Sequence, residues 1–171
     1  LLIERLHAEG ITPHICSFPQ YGKKSAGLVE EYLNGSYGAP ENVSPYAASL
    51  FYALDRFDAS FAISEALAKG KTVLLDRYVD SNAGHQGGKI ENPLKRREFL
   101  KWLYTIEYGI LEIPRPDIVI ILHVPASIGQ TLVAKKEKRA YIRKGKHDLH
   151  ERDLGHLKNA ERAYLWLAEE F

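Results

Sequence analysis

Cysteine is almost absent: Cys16 is the single one among 171 residues, so no internal disulfide can form. It lies in the run His14 to Phe18, which predicts a core thiol of a cytosolic protein and not a reactive nucleophile. Long apolar runs are also missing, since none approaches the ~20 residues that a membrane-spanning helix needs. No charged, apolar and small-residue signal opens the chain. The expected protein is therefore soluble and cytoplasmic, with no membrane partner. It has little net charge, +1 from 23 basic and 22 acidic side chains, which argues against a general nucleic-acid surface. Internal repeats and low-complexity segments are lacking.

What is present points to one mixed domain. An apolar share of 45% over 171 residues is enough for a single core, so residues 1–171 are expected to form one domain. Its organising stretch is Thr72 to Lys89, where Val73, Leu74 and Leu75 stop at Asp76 and Arg77 and give way to a polar, glycine-rich loop. The apolar run predicts a buried parallel strand covered on both faces. Ligands of such sheets bind beyond the carboxyl ends of the strands, where Asp76 and Arg77 stand. By type alone these two are either an ion pair closing a strand or one wall of a site. Ser81, Asn82, His85 and Gln86 follow with donors and acceptors suited to a base and a phosphate, and Gly84, Gly87 and Gly88 would let backbone approach a ligand.

Strands and helices alternate along the rest of the chain, the pattern of an α/β domain with a parallel sheet. Leu1, Leu2 and Leu6, stopped by Gly10, read as part of a helix that begins without methionine or cap, so further residues are expected before Leu1. Ile11 to Phe18 reads as a strand, and Ser25 to Asn34 as a short helix ended by Gly35. Ser44 as cap and Pro45 at the first helical position open a long helix reaching Gly70, its buried face predicted from Leu50, Leu54, Phe57 and Phe61. Another helix runs from Pro93 to about Leu111. Ile118 to Val124 is the most apolar run and predicts a second fully buried strand. Ser127 is expected to cap a helix into Lys136, and Leu154 to Phe171 is amphipathic, with Leu157, Ala160, Tyr164 and Leu167 on one face.

Three further constellations bear on chemistry. Phe51, Tyr52, Asp55 and Arg56 share the long helix, and Tyr52 and Arg56 lie one turn apart on one face. They are either a core aromatic beside a surface ion pair or a stacking ring beside a fork donor. Phe18-Pro19-Gln20-Tyr21-Gly22 is a rigid turn flanked by aromatics at the end of the opening strand. Lys135 to Lys146 carries seven cations and is followed by His147, Asp148, His150 and Glu151, either a solvated helix end or a lid closing on a polyphosphate. A zinc site from His147, His150, Glu151 and His156 is not expected, because no cysteine joins and no helical spacing brings three of them together.

With these motifs in hand the chain resembles the thymidylate kinase family. DRYVDSNAGHQ is similar to the family's DRY-x-x-S-x-x-A-Y-Q signature, FPQYG to its FPRYG loop, SLFYALDR to its base-stacking and arginine helix, and HDLHERD to the acidic stretch that closes its lid. The four occur in the family's order from Phe18 to Asp153. The resemblance implies a P-loop kinase-type parallel sheet flanked by helices in three αβα layers, with a lid at about 136–152. It implies transfer of the γ-phosphoryl group of ATP to dTMP with Mg²⁺, usually by homodimers. Tyr52 would stack on thymine, Arg56 would donate to a thymine carbonyl, and Phe18 would line the same pocket. Arg77 would hold the dTMP phosphate, with Asp76 orienting it and ordering the metal's water shell. Asn82 and Gln86 would touch the base edge and His85 the deoxyribose. Arg139 and Arg143 would neutralise the transferring phosphoryl group, with Lys144, Lys146 and Glu151 also in the lid.

Three departures qualify the resemblance. The phosphate loop G-x-x-x-x-G-K-[ST] and the first strand, which is central in the family's sheet, are not in the sequence. Two rows of buried backbone groups would be left unpaired without that strand, at roughly 1–3 kcal/mol each, so the chain is expected to be a piece of a longer one at both ends. His85 stands where the family has tyrosine. Gln20 replaces the arginine of FPRYG, and Leu149 takes a lid position that is arginine in some relatives. The competing expectations are a deoxynucleoside kinase, which FPQYG and NAGHQGG argue against, or a non-catalytic nucleotide-binding protein if no phosphate loop is encoded upstream.

Overall fold

A two-stranded parallel sheet anchors the helices that carry the motifs. The computed structural model describes residues 1–39, 42–134 and 154–170. Helix α1 (Leu2–Ala8) is stopped by Gly10 at φ 78°, a left-handed position that glycine occupies without a Cβ clash. Strand β1 (His14–Ser17) pairs in parallel with β2 (Val73–Asp76), in a register that sets Ser17 opposite Asp76. The two carboxyl ends therefore finish level. A 3₁₀ turn (Lys24–Ala26) leads into α2 (Gly27–Leu33), and α3 (Pro45–Ala68) follows with its first turn capped, the Ser44 hydroxyl accepting from the Ala47 N–H.

The face that α3 buries is not the predicted one. Leu50, Leu54, Phe57 and Phe61 are exposed, Phe61 to 67%, whereas Ala48, Ser49, Ala53, Asp55, Arg56, Ala59, Ser60 and Ile63 are buried. Small residues let the helix approach its neighbours closely, and the polar ones among them are needed inside for reasons given below. On this helix size does not mark the buried face: the bulky stripe is the outer one.

The stretch after β2 is helical where a loop was expected. Helix α4 (Val79–His85) turns Val79 and Ala83 into the main core and is followed by a 3₁₀ turn (Gly87–Lys89). Its glycines serve packing. A Cβ on Gly84 would collide with the ring of Tyr164, and one on Gly88 would lie 2.9 Å from the Asn159 carbonyl oxygen, both on the closing helix α7 (Leu154–Glu170). Gly87 faces Phe99. Close contact with α7, not with a ligand, explains Gly84 and Gly88.

Helix α5 (Pro93–Tyr104), capped by Asn92, widens into a π-helical turn (Thr105–Ile110). Helix α6 (Ala126–Ala134) begins one residue before Ser127, so Ser127 lies in its first turn; the Ala126 N–H is met instead by Glu161 from α7, at 3.0 Å. The amphipathic reading of α7 holds, with Ala160 and Leu167 buried. Phe18, Ile63, Tyr78, Val79, Phe99, Leu103 and Leu167 centre the main core, and Cys16 packs half-buried against it.

Two expectations about strands fail. Val73, Leu74 and Leu75 are only half-buried, because among the described residues β2 has a paired edge toward β1 alone. Residues 118–124 form no strand, and Ile118 and Leu122 are 79% and 85% exposed. A strand covered on both faces needs neighbours along its edges, and among the described residues none pairs with this segment. A cleft of about 900 Å³ separates it from β2, lined by Leu74, Leu75, Ile118, Ile120 and by Leu2 and Leu6 of α1.

Candidate functional site

The level ends of β1 and β2 bring two motifs together. The Phe18 N–H donates to the Asp76 carbonyl at 3.0 Å, and the Ser17 hydroxyl donates to the Asp76 carboxylate at 3.2 Å. Arg77 follows at φ 66°, a left-handed conformation that branches its side chain away from the strand line. Asp76 and Arg77 are both exposed, so a carboxylate and a guanidinium are accessible to a ligand at the position that open parallel sheets use for binding. Together with Asp80, Ser81 and His85 they line one end of the cleft.

The FPQYG turn is held by α3. Phe18 is buried with its ring centroid 5.8 Å from that of Tyr78. The Asp55 carboxylate, 1% exposed, accepts from the Gln20 N–H at 2.8 Å, the Gln20 side-chain amide at 3.2 Å and the Ser25 hydroxyl at 2.6 Å. A buried carboxyl group with three donors is a satisfied acceptor. Gln20, a departure from the family's arginine, thus acts as the strap between loop and helix.

One residue further on, Arg56 is 2% exposed and forms a two-point ion pair with Glu107, 0% exposed, through Nε to Oε2 at 2.7 Å and Nη2 to Oε1 at 2.5 Å. Its Nη1 faces the Tyr78 carbonyl at 3.5 Å, which ties it to the turn after Arg77. Nothing in the sequence pattern pointed to Glu107. The only signal it gave was a lone acid within the apolar stretch TIEYGIL. Tyr52, one turn before Arg56, is half-buried against Val29, Tyr32, Leu33 and Ala48.

The remaining motif residues sit on and after α4. Asn82 is buried and donates to the Ser49 carbonyl of α3 at 3.1 Å, which joins the two helices. Gln86 is 1% exposed and its side-chain carbonyl oxygen has no hydrogen-bond partner among the described residues, an acceptor suited to a ligand N–H. His85 turns toward α7: its Nδ1 lies 3.4 Å from His156 Nε2, and its ring meets Tyr164 edge-on at 5.7 Å. Asp80 accepts from the Tyr104 hydroxyl at 3.1 Å, and burial followed by the Asp80 charge pushes that phenol well above its usual range. Burial likewise raises Tyr78, with the Arg56 charge opposing it.

The structure thus groups Asp76, Arg77 and His85 on the cleft, and Phe18, Arg56, Asn82 and Gln86 as buried residues around α3 and α4. Arg139, Arg143, Lys144, Lys146 and Glu151 lie outside the described residues.

Comparison with known proteins gives this arrangement a context. A thymidylate kinase of Mycobacterium tuberculosis (strain ATCC 25618 / H37Rv) is 34% identical over 134 residues, 74% of this chain and 61% of that protein. One from Afipia carboxidovorans is 34% identical over 143 residues, 82% of this chain and 58% of the relative. The human thymidylate kinase is 28% identical over 123 residues, covering 72% and 52%. The chain therefore spans less than two thirds of the length of these relatives. The thymidylate kinase family model matches residues 1–170, all four motifs included, and the chain belongs to the thymidylate kinase family.

Proposed function

We propose that the protein transfers the γ-phosphoryl group of ATP to dTMP, giving dTDP. The observation that carries this reading is the exposed Asp76-Arg77 pair at the carboxyl end of β2, level with the FPQYG turn of β1 and backed by the buried Arg56. Phosphoryl transfer asks a protein for position and cations more than for covalent chemistry. Arg77 holds the dTMP phosphate as a charged fork donor. Tyr52 offers a ring for the base, Arg56 donates to a ring carbonyl, and Asn82 and Gln86 meet the base edge. The unmatched Gln86 oxygen favours a ligand N–H there.

Mg²⁺ suits the oxygen set at the strand end, since a carboxylate beside a hydroxyl, Asp76 and Ser17, matches its preference for hard oxygen and ordered water. When bound, it would neutralise phosphate charge. The lid at 136–152 would bring Arg139 and Arg143 over the phosphates, with Lys144, Lys146 and Glu151 beside them. The protein works as a single domain in the cytoplasm, where Cys16 stays reduced. The exposed stripe Leu50, Leu54, Phe57 and Phe61 on α3 supports a homodimer.

A coupled assay of ADP release on the full-length protein with dTMP, dUMP, UMP and thymidine tests the assignment. dTMP should be turned over fastest. Faster turnover of thymidine would replace this reading with a deoxynucleoside kinase.

A further inference from the structure

The buried pair between Arg56 and Glu107 does more than neutralise two charges. A guanidinium has five N–H donors in a fixed plane, and its direction is set by whatever grips its edges. Glu107 takes the Nε–Nη2 edge with both carboxylate oxygens, at 2.7 and 2.5 Å. Among the described residues, the Nη1 end makes only a long contact of 3.5 Å to the Tyr78 carbonyl. It keeps two N–H groups against the one left on Nη2, and it faces the Tyr78 carbonyl in the turn that follows Asp76 and Arg77.

Local backbone geometry is adapted to this arrangement. Glu107 sits in the π-helical turn Thr105–Ile110, where the Leu111 N–H reaches back five residues to the Ile106 carbonyl at 2.8 Å. Such wide turns shift the register of the side chains they carry and recur where a side chain must be aimed. Of the two partners, Glu107 is the more deeply buried, at 0% against 2%.

We infer that Glu107 is a positioning residue which fixes the Arg56 guanidinium with its Nη1 end toward the base, and thereby sets preference for a carbonyl over an amino group at C4 of the pyrimidine. The inference rests on the reading of Arg56 as the base donor. A guanidinium has no acceptor, so it rewards the C4 carbonyl of dTMP and leaves the amino group of dCMP facing a donor. Rotation of the fork would blunt that contrast, and Glu107 prevents it.

Binding of dTMP and dCMP to the full-length protein, with kcat and KM for dTMP, tests the role in Glu107→Gln and Glu107→Asp. The first substitution keeps the shape but loses the charge; the second keeps the charge and withdraws it by one methylene. The expected result is a rise of about tenfold in KM for dTMP, little change in kcat, and a matching fall in the dTMP-to-dCMP preference. If Glu107→Gln fails to fold, Glu107→Asp still reports. An unchanged preference in a folded variant of a parent that prefers dTMP overturns the role of Glu107 alone. A parent without that preference overturns the base reading of Arg56 and the role of Glu107 with it.

Discussion

The Asp55 carboxylate accepts from Gln20 twice, from its backbone N–H at 2.8 Å and its side-chain amide at 3.2 Å, and the same amide donates to the Asp55 carbonyl at 3.0 Å, so the turn after β1 is fastened to α3 at one buried residue. Asp55→Ala would strip the partner from the Gln20 N–H and the Ser25 hydroxyl together. Unsatisfied buried donors cost about 1–3 kcal/mol. Denaturant unfolding should show a loss of that order with an unchanged m-value, and dTMP binding should weaken as the Phe18 wall loosens. A variant with parental stability would show that water replaces the carboxylate.

The glycines divide into two kinds. Gly84→Ala and Gly88→Ala would each force a methyl group into α7, and overpacking of this kind costs about 1–3 kcal/mol. Gly129 in α6 has nothing among the described residues within 4 Å of the place a methyl group would take, so Gly129→Ala should stabilise by about 0.5–1 kcal/mol through helix propensity. Opposite signs in a thermal or denaturant melt are expected. Stabilisation at all three would mean that the α4–α7 contact yields freely, and destabilisation at Gly129 would mean that its site is not open.

On the outer face of α3, the rings of Phe57 and Phe61 meet edge-on at 5.3 Å while Phe61 remains 67% exposed. A charge there should not disturb the core. Phe61→Glu is expected to convert a dimer to a monomer in sedimentation velocity, with the melting behaviour of the isolated subunit retained. A parent chain that sediments as a monomer at tens of micromolar, a concentration at which stable interfaces hold, would end the dimer assignment.

Glu161 links α7 to α6 by receiving the His123 ring nitrogen at 2.7 Å and the Ala126 N–H at 3.0 Å. The His123 hydrogen bond first, and the Ala126 N–H second, hold its carboxyl below the usual carboxylate value. A depressed folded-state pKa contributes stability above the ordinary value of about 4.5 and loses it as pH falls through the folded value. The protection of the Ala126 amide against hydrogen exchange, taken relative to the intrinsic rate at each pH, should therefore fall in the acid range below that value, and Glu161→Gln should remove the dependence. Identical pH profiles for the two proteins would separate the α6 terminus from Glu161.

What could be read from residues alone followed from spacing and from punctuation. Ser44-Pro45, Gly10 and Gly35 marked helix ends because caps and left-handed turns are local demands, and the register of β1 on β2 agrees with the parallel sheet of the P-loop kinase fold that the family shares. The inner face of α3 was misread because its choice depends on neighbours: Arg56 is inside only because Glu107, fifty-one residues later, receives it. The same holds for Gly84, whose reason is Tyr164, and for residues 118–124, where apolar composition promised burial that no adjoining strand among the described residues provides. Arg56, Asp76 and Arg77 were legible as site candidates by chemistry, whereas the supports Asp55 and Glu107 needed three dimensions.

Arg77 is held at φ 66°, where a side chain costs on the order of 1 kcal/mol that glycine or asparagine would largely escape. The position therefore separates two selective pressures. A library screened for thermal survival alone should drift toward glycine at this codon, whereas one screened for nucleotide turnover should keep arginine. The ratio of the two in such populations would measure how much stability the phosphate contact proposed for Arg77 is worth to the protein.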